Sequence, residues 1–320
     1  YTTGTSEQFE REWAFRHVLV QQVVYEALAS GDRRELHAKV GEIMRSRSAR
    51  GSSDPPAEVA RHLQLAGERE EAGEYYLRAA EAALAGYANK EAAQLFDRAI
   101  ELTQSDDEGG AERLYRAHAG RERVLGRLGL HERQAQDLST LRQLGDQDAS
   151  QRADLRAREA LRLLRVGEIY RALEAAEQAE EAAREAGDAL LEGEALRLRG
   201  EAYERLDDHD RALSAAQQAL AIFEAQEAIP HQVRARISLG RVLLAQARYD
   251  DALDHYVPAY ELIEETDDRW HERVLRNNTA VVHLCRGDLP RALEDAMYSL
   301  KLCVEFGDLA REGDNATVIG

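Results

Sequence analysis

Ten histidines, two cysteines and 60 carboxylates are the side chains of this chain that could hold a metal, attack an electrophile or move a proton. Chemistry at such groups requires particular spacings. A zinc protease sets two histidines around a glutamate as HExxH, and structural zinc sites pair cysteines as CxxC; neither pattern occurs. "LHERQ" at 130–134 and "WHERV" at 270–274 share a His-Glu-Arg triplet, which on a polar helix face reads as solvated surface. Cys285 stands two residues from His283, and side chains two apart on a helix face away from each other, so they form no nucleophile–base pair. There is no GxSxG elbow. Lys39, Lys90 and Lys301 are the only lysines, and none follows a glycine, so a phosphate-binding loop is excluded. Carboxylate pairs such as Glu264–Glu265 and Asp267–Asp268 carry no signal that would desolvate one member. The expectation is therefore no enzyme, with no catalytic, cofactor-binding or metal-ligating residue in the chain.

Function must then come from shape, and the elements that would set that shape are periodic. Ala172, Ala212, Ala252 and Ala292 recur every 40 residues, within "YRALEAA", "DRALSAA", "DDALDHY" and "PRALEDA". Twelve residues upstream stand Ala160, Gly200, Gly240 and Ala280, and seven downstream stand Ala179, Ala219, Ala259 and Ser299. Turn signals separate the units: "GD" at 187–188 and 307–308, "DD" at 267–268 and "AIP" at 228–230. A glycine can end a helix in the left-handed conformation, and the following aspartate can cap the next one. No segment alternates with period two, so each unit reads as a pair of helices, and the class is all-α. Helix axes pack about 8–10 Å apart, and closest approach requires small side chains at the crossing. The alanines are read as those spacers. Breakers every twenty residues exclude a long coiled coil. Pro258, inside an expected helix, predicts a kink.

These columns resemble the tetratricopeptide repeat (TPR). In "LRLRGEAYERLDDHDRALSAAQQAL" the family positions are filled by Gly200, Tyr203, Ala212 and Ala219; in "ISLGRVLLAQARYDDALDHYVPAY", by Gly240, Ala252, Tyr256 and Ala259. Four clear units span 150–307, a degenerate one with Gln134 at the spacer position lies near 111–146, and another spans about 70–104. The resemblance implies a right-handed TPR-like solenoid of about six helix hairpins. It further implies that first helices line a concave surface able to hold a protein or peptide. By family position, Arg197, Glu201, Arg241, Asn277 and Asn278 would face that groove.

Residues 1–50 do not fit the repeat and are followed by the linker-like "SARGSSDPP". Phe15-Arg16-His17, then Tyr25, Arg34, Leu36 and His37, resemble the winged-helix end of bacterial STAND ATPases, the MalT-like regulators among them. This resemblance divides the chain into a helical winged-helix remnant (1–50) and a TPR-like repeat domain (51–320). It implies a regulatory sensor arm of a multidomain signalling ATPase. ATP or ADP with Mg would then belong to the parent's own nucleotide-binding domain, an intramolecular partner that His17 could face, while this chain holds no cofactor. A constitutive scaffold and a homo-oligomerisation module remain the alternatives. The chain starts at Tyr1 and stops at "DNATVIG", which reads as a piece of something longer. A formal charge of −18 argues against nucleic acid and anionic membrane as partners. With no run of about 18 apolar residues and two scattered thiols, a cytoplasmic location is expected.

Overall fold

The computed structural model describes residues 18–49, 54–104, 108–145, 148–266 and 268–306. Fifteen helices and no strands occur among them. The first three are α1 (Val18–Ala27), α2 (Ser30–Ala49) and α3 (Pro56–Ala66). Six hairpins follow: α4 (Arg69–Ala85) with α5 (Asn89–Leu102), α6 (Glu108–Arg127) with α7 (His131–Gly145), and α8 (Ala149–Val166) with α9 (Ile169–Ala186). The other three are α10 (Ala189–Arg205) with α11 (His209–Ala225), α12 (Ile229–Ala245) with α13 (Tyr249–Thr266), and α14 (Arg269–Cys285) with α15 (Leu289–Phe306). Each hairpin packs on the next, and first helices also touch first helices, as in α8–α10, α10–α12 and α12–α14. No described helix is long and apolar enough to cross a membrane. Phe15, Arg16 and His17 lie outside the described residues, as do the segments 50–53 and 307–320.

The spacer alanines sit where the hairpin helices meet. Ala172, Ala212, Ala252 and Ala292 are all buried, with Ala212 and Ala252 at 0% exposure. Opposite them the backbone itself comes close: a Cβ on Gly200 would stand 3.2 Å from the Ala212 carbonyl oxygen and 3.4 Å from the Ala216 nitrogen. At Gly240 the Tyr256 ring fills the space that a Cβ would need. Thus one hairpin uses its missing side chain for close backbone approach, and the next uses it to seat an aromatic. In the degenerate unit Gln134 is fully buried at the spacer position and donates to Glu122 at 2.7 Å. The polar side chain is tolerated because its amide is satisfied.

The turns follow the period too. In the last four hairpins the left-handed residue that ends the first helix falls at Gly167, Asp207, Ala247 and Gly287, again 40 apart, and that ending a second helix falls at Gly187 and Glu227. Glycine adopts this conformation without cost, yet Asp207 (φ 63°), Ala247 (φ 58°) and Glu227 (φ 51°) hold it at a steric cost. The packed stack on both sides imposes the turn. Asp148, Asp188, Asp208 and Asp268 cap the following helices, accepting from the backbone N–H three residues on. Helix α13 runs through Pro258 without a break in its assignment.

Stacking six hairpins in one sense curls the stack until its first and last hairpins meet. Tyr87, in the turn between α4 and α5, reaches the start of α14 and the end of α15. Its ring lies nearly parallel to Trp270 (11° between planes, centroids 6.5 Å) and 4.9 Å from Phe306. Asn89 donates to the Phe306 carbonyl at 3.4 Å. This seam is built from side chains, whereas the neighbouring hairpins are joined by helix packing.

Candidate functional site

The curl encloses a lumen faced by the first helices α6, α8, α10, α12 and α14. Across it Arg123 comes within electrostatic reach of Arg158 and Arg234, Arg127 of Asp268, and His271 of Arg197 and Arg234. A helix repeat of 3.6 places residues four apart on one face, as with Arg123 and Arg127 on α6, Asp154 and Arg158 on α8, and Arg197 and Glu201 on α10.

Arg197 and Glu201 are one such pair. They are only 7% and 9% exposed, and Arg197 donates to Glu201 at 3.3 Å and to Glu194 at 2.8 Å. Arg241 binds the Glu204 carboxylate and lies 3.8 Å from Glu201. Tyr256, wedged on Gly240, sits beside both Arg241 and Asn278. Of the five groove residues expected from the sequence, Arg197, Glu201 and Arg241 are joined in one charge row, and Asn278 lies beside Tyr256. Arg197, Glu201 and Arg241 satisfy one another. Burial raises the carboxyl groups of Glu194 and Glu201, but the surrounding arginines outweigh it and hold both at about 2. In contrast, Asn277 Oδ1 and Asn278 Nδ2 are buried without a hydrogen-bond partner among the described residues, as is the Tyr256 hydroxyl. An orphaned amide costs about 1–3 kcal/mol until something pairs with it.

Sequence reasoning missed the rest of the lumen. Arg158 donates to Asp154 at 2.7 Å, to Glu122 at 3.0 Å and to the Ala119 carbonyl at 3.2 Å. Asp268 is the node of the seam: its Oδ1 accepts from Tyr87 at 3.0 Å and from the His271 N–H at 3.1 Å, and its Oδ2 lies 2.6 Å from His271 Nδ1. Burial raises this carboxyl, but the His271 contacts overcome it and hold it at about 2. Arg127 stacks over both Tyr87 (5.6 Å) and Trp270 (4.9 Å). The one available signal was "WHERV", whose histidine and arginine the sequence reading assigned to solvated surface. The structure buries Arg273, at 2% exposure with its guanidinium 4.7 Å over the Trp270 ring, and leaves His271 half-buried against Asp268.

On the outside, a groove of about 380 Å³ runs past Leu253, Tyr260 and Val257 over Arg276, Thr279 and Asp295. Its floor is already paired: Asp295 accepts from Arg276 at 2.7 Å and from Thr279 at 2.9 Å. Among the described residues no group of three His, Cys, Asp or Glu is placed to hold a metal.

No protein-family model matches the chain, and no curated protein matches it. Solved structures do. A Rap protein complexed with competence and sporulation factor is 16% identical with a TM-score of 0.58, over 94% of this chain and 95% of that one. The Rap conjugation gene regulator of plasmid pLS20, in complex with the Phr* peptide, is 14% identical with a TM-score of 0.64, over 77% of this chain and 65% of that one. TTC0263, a TPR protein of Thermus thermophilus, is 23% identical with a TM-score of 0.50, over 66% of this chain and 99% of that one. The fold is a TPR-like solenoid. At these identities the likeness is one of architecture.

Proposed function

We propose that this solenoid is a protein-interaction arm that takes an extended peptide or partner segment into its lumen. The observation that supports the reading is that Asn277 Oδ1 and Asn278 Nδ2, which the repeat resemblance puts on the groove side, are buried without a partner among the described residues, an acceptor and a donor of the kind that backbone amides satisfy. Two similar folds were solved with competence and sporulation factor and with the Phr* peptide. The finer reading places the arm, through the winged-helix-like residues of segment 1–50, on a nucleotide-binding domain of a STAND-type signalling ATPase. Ligand binding would then shift that domain between states only if the ligand prefers one of them.

Nucleotide turnover of the full-length protein, with and without residues 150–320, tests the sensor role. A changed rate or nucleotide affinity is expected. Unchanged values would leave the scaffold reading, and mass rising with concentration in light scattering would favour self-association. Peptide capture has its own test, in which Asn278→Leu should weaken binding of a labelled peptide library relative to the unaltered chain.

A further inference from the structure

The second helices of the inner hairpins are covered on one side by the first helix of the hairpin that follows. Three contacts at a separation of 19 residues show it. Glu180 on α9 accepts from Arg199 on α10, Leu220 on α11 shares a core cluster with Leu239 on α12, and the Tyr260 hydroxyl on α13 lies 3.1 Å from Thr279 Oγ1 on α14. A second register, 12 residues apart, joins Glu224 on α11 to Arg236 on α12 at 2.7 Å. In each case the two residues match in type: charge with charge, apolar with apolar, polar with polar.

Among the described residues no helix follows α15 to cover the same face. Leu293, Met297, Leu300 and Val304 succeed one another there at helical spacing, and Met297 and Val304 are 59% and 62% exposed. Leu293 stands in the column of Leu173, Leu213 and Leu253, which pack into clusters shared with α10, α12 and α14. It is itself 46% exposed. The α4–α5 turn reaches Phe306 and Trp270 and leaves this stripe bare.

The repeat names what belongs on it. Residues 307–320 lie outside the described structure, but their sequence keeps the columns of a first helix. Asp308 stands 40 residues after Asp268, which caps α14. Gly320 extends the small-residue column of Ala160, Gly200, Gly240 and Ala280. Counting 19 from Leu300 reaches Ile319, and counting 12 from Val304 reaches Ala316. Both registers therefore pair apolar with apolar, at places where inner hairpins use the ion pairs Glu180–Arg199 and Glu224–Arg236.

We infer that the exposed face of α15 is a docking surface for one more first helix, and that residues 309–320 of the same chain are its occupant, with Ile319 on Leu300 and Ala316 on Val304. Apolar burial drives the docking, and the small-residue crossing that orders the inner hairpins sets its register. A segment this short is marginal as a helix by itself in water, so its order depends on the stripe. The surface is independent of the peptide reading of the lumen.

Hydrogen exchange of the full chain, read by mass spectrometry on peptides covering 309–320, tests the inference, with light scattering on the same samples. Amides of that segment should exchange about tenfold or more slower than in an isolated peptide of the same sequence. V304E, at an exposed position of α15, should abolish this protection and leave that of the preceding helices intact. V304E/A316R should restore it, because it recreates the Glu224–Arg236 pair in the same register. Y170Q, at an exposed aromatic on α9, should change nothing. Exchange at the rate of the isolated peptide, protection that survives V304E, or an equal loss in Y170Q overturns the docking. Loss in V304E without recovery in V304E/A316R overturns the register. Protection that appears only as the mass rises towards a dimer gives the face to a second copy of the chain and overturns the occupant.

Discussion

The Tyr87 hydroxyl donates to the Asp268 carboxylate at 3.0 Å across 181 residues of sequence, and with that bond the solenoid becomes a closed curl. Few side chains share this work, so each should matter to shape more than to folding. Tyr87→Phe removes the hydrogen bond and should cost about 0.5–1.5 kcal/mol. Trp270→Ala removes the shared aromatic surface and should increase the radius of gyration while leaving helix content by circular dichroism intact. Unchanged scattering from that variant would show that hairpin packing alone sets the curvature.

Enlarging a spacer should act on stability wherever two backbones approach. Ala212→Leu places three added carbons against the Gly200 backbone and should destabilise by about 1–3 kcal/mol. Gly240→Ala should do the same by displacing the Tyr256 ring, which occupies the place of the new Cβ. Urea midpoints decide this. Equal midpoints would mean the crossings are looser than the geometry indicates.

Ala247 offers the opposite sign. It holds φ 58° with a Cβ that disfavours this conformation. Replacement by glycine removes a penalty of about 1–2 kcal/mol but adds unfolded-state entropy of about 0.4–1 kcal/mol. Ala247→Gly should therefore stabilise slightly, whereas the same exchange at buried Ala252 should destabilise. A loss of stability at position 247 would contradict the strain assigned to that turn.

The buried charge row should fail if one member is removed. Glu201 lies within 3.3 Å of Arg197 and 3.2 Å of Arg205. Glu201→Met leaves Arg197 with Glu194 alone and should cost about 3–5 kcal/mol. Replacing Arg197 as well should recover part of that loss. A double variant no more stable than the single one would locate the damage in packing rather than in charge.

Acid should loosen the N-terminal helices. His37 and His62 meet Nδ1 to Nδ1 at 2.9 Å, an arrangement that requires at least one neutral ring. Burial, aided by Arg61, lowers both pKa values below the usual 6.5, and His37 lowers His62 further. A histidine depressed in the folded state binds more protons unfolded, so its contribution is full above 6.5 and declines as pH falls below it. Urea midpoints should drop between about pH 7.5 and 5.5, and less so in His62→Gln. A pH-independent midpoint would sink this assignment.

The repeat, the hairpins and the spacer columns were legible because they are local. A small residue every 40 positions, a capping aspartate and a turn residue each act within a few residues of themselves, and helix periodicity translates them into faces. The left-handed turns at Asp207, Glu227 and Ala247 were not legible, because none of them carries the glycine that marks such a turn. The same periodicity leads to the expectation that Arg197, Glu201, Arg241, Asn277 and Asn278 share one surface. Their states were not legible. Arg197 finds Glu194 and Glu201 at the three- and four-residue spacing of its own helix, but Arg241 finds Glu204 on another helix, and no spacing reports which of the 60 carboxylates will come near from elsewhere.

What the sequence determined by itself was an all-α chain of nested hairpins, because backbone approach and helix ends obey short-range rules. What only the tertiary structure decided was the closure of the ends and the charge balance inside. Curvature accumulates a small rotation at every interface, and the sum of those rotations brought Tyr87 to Asp268.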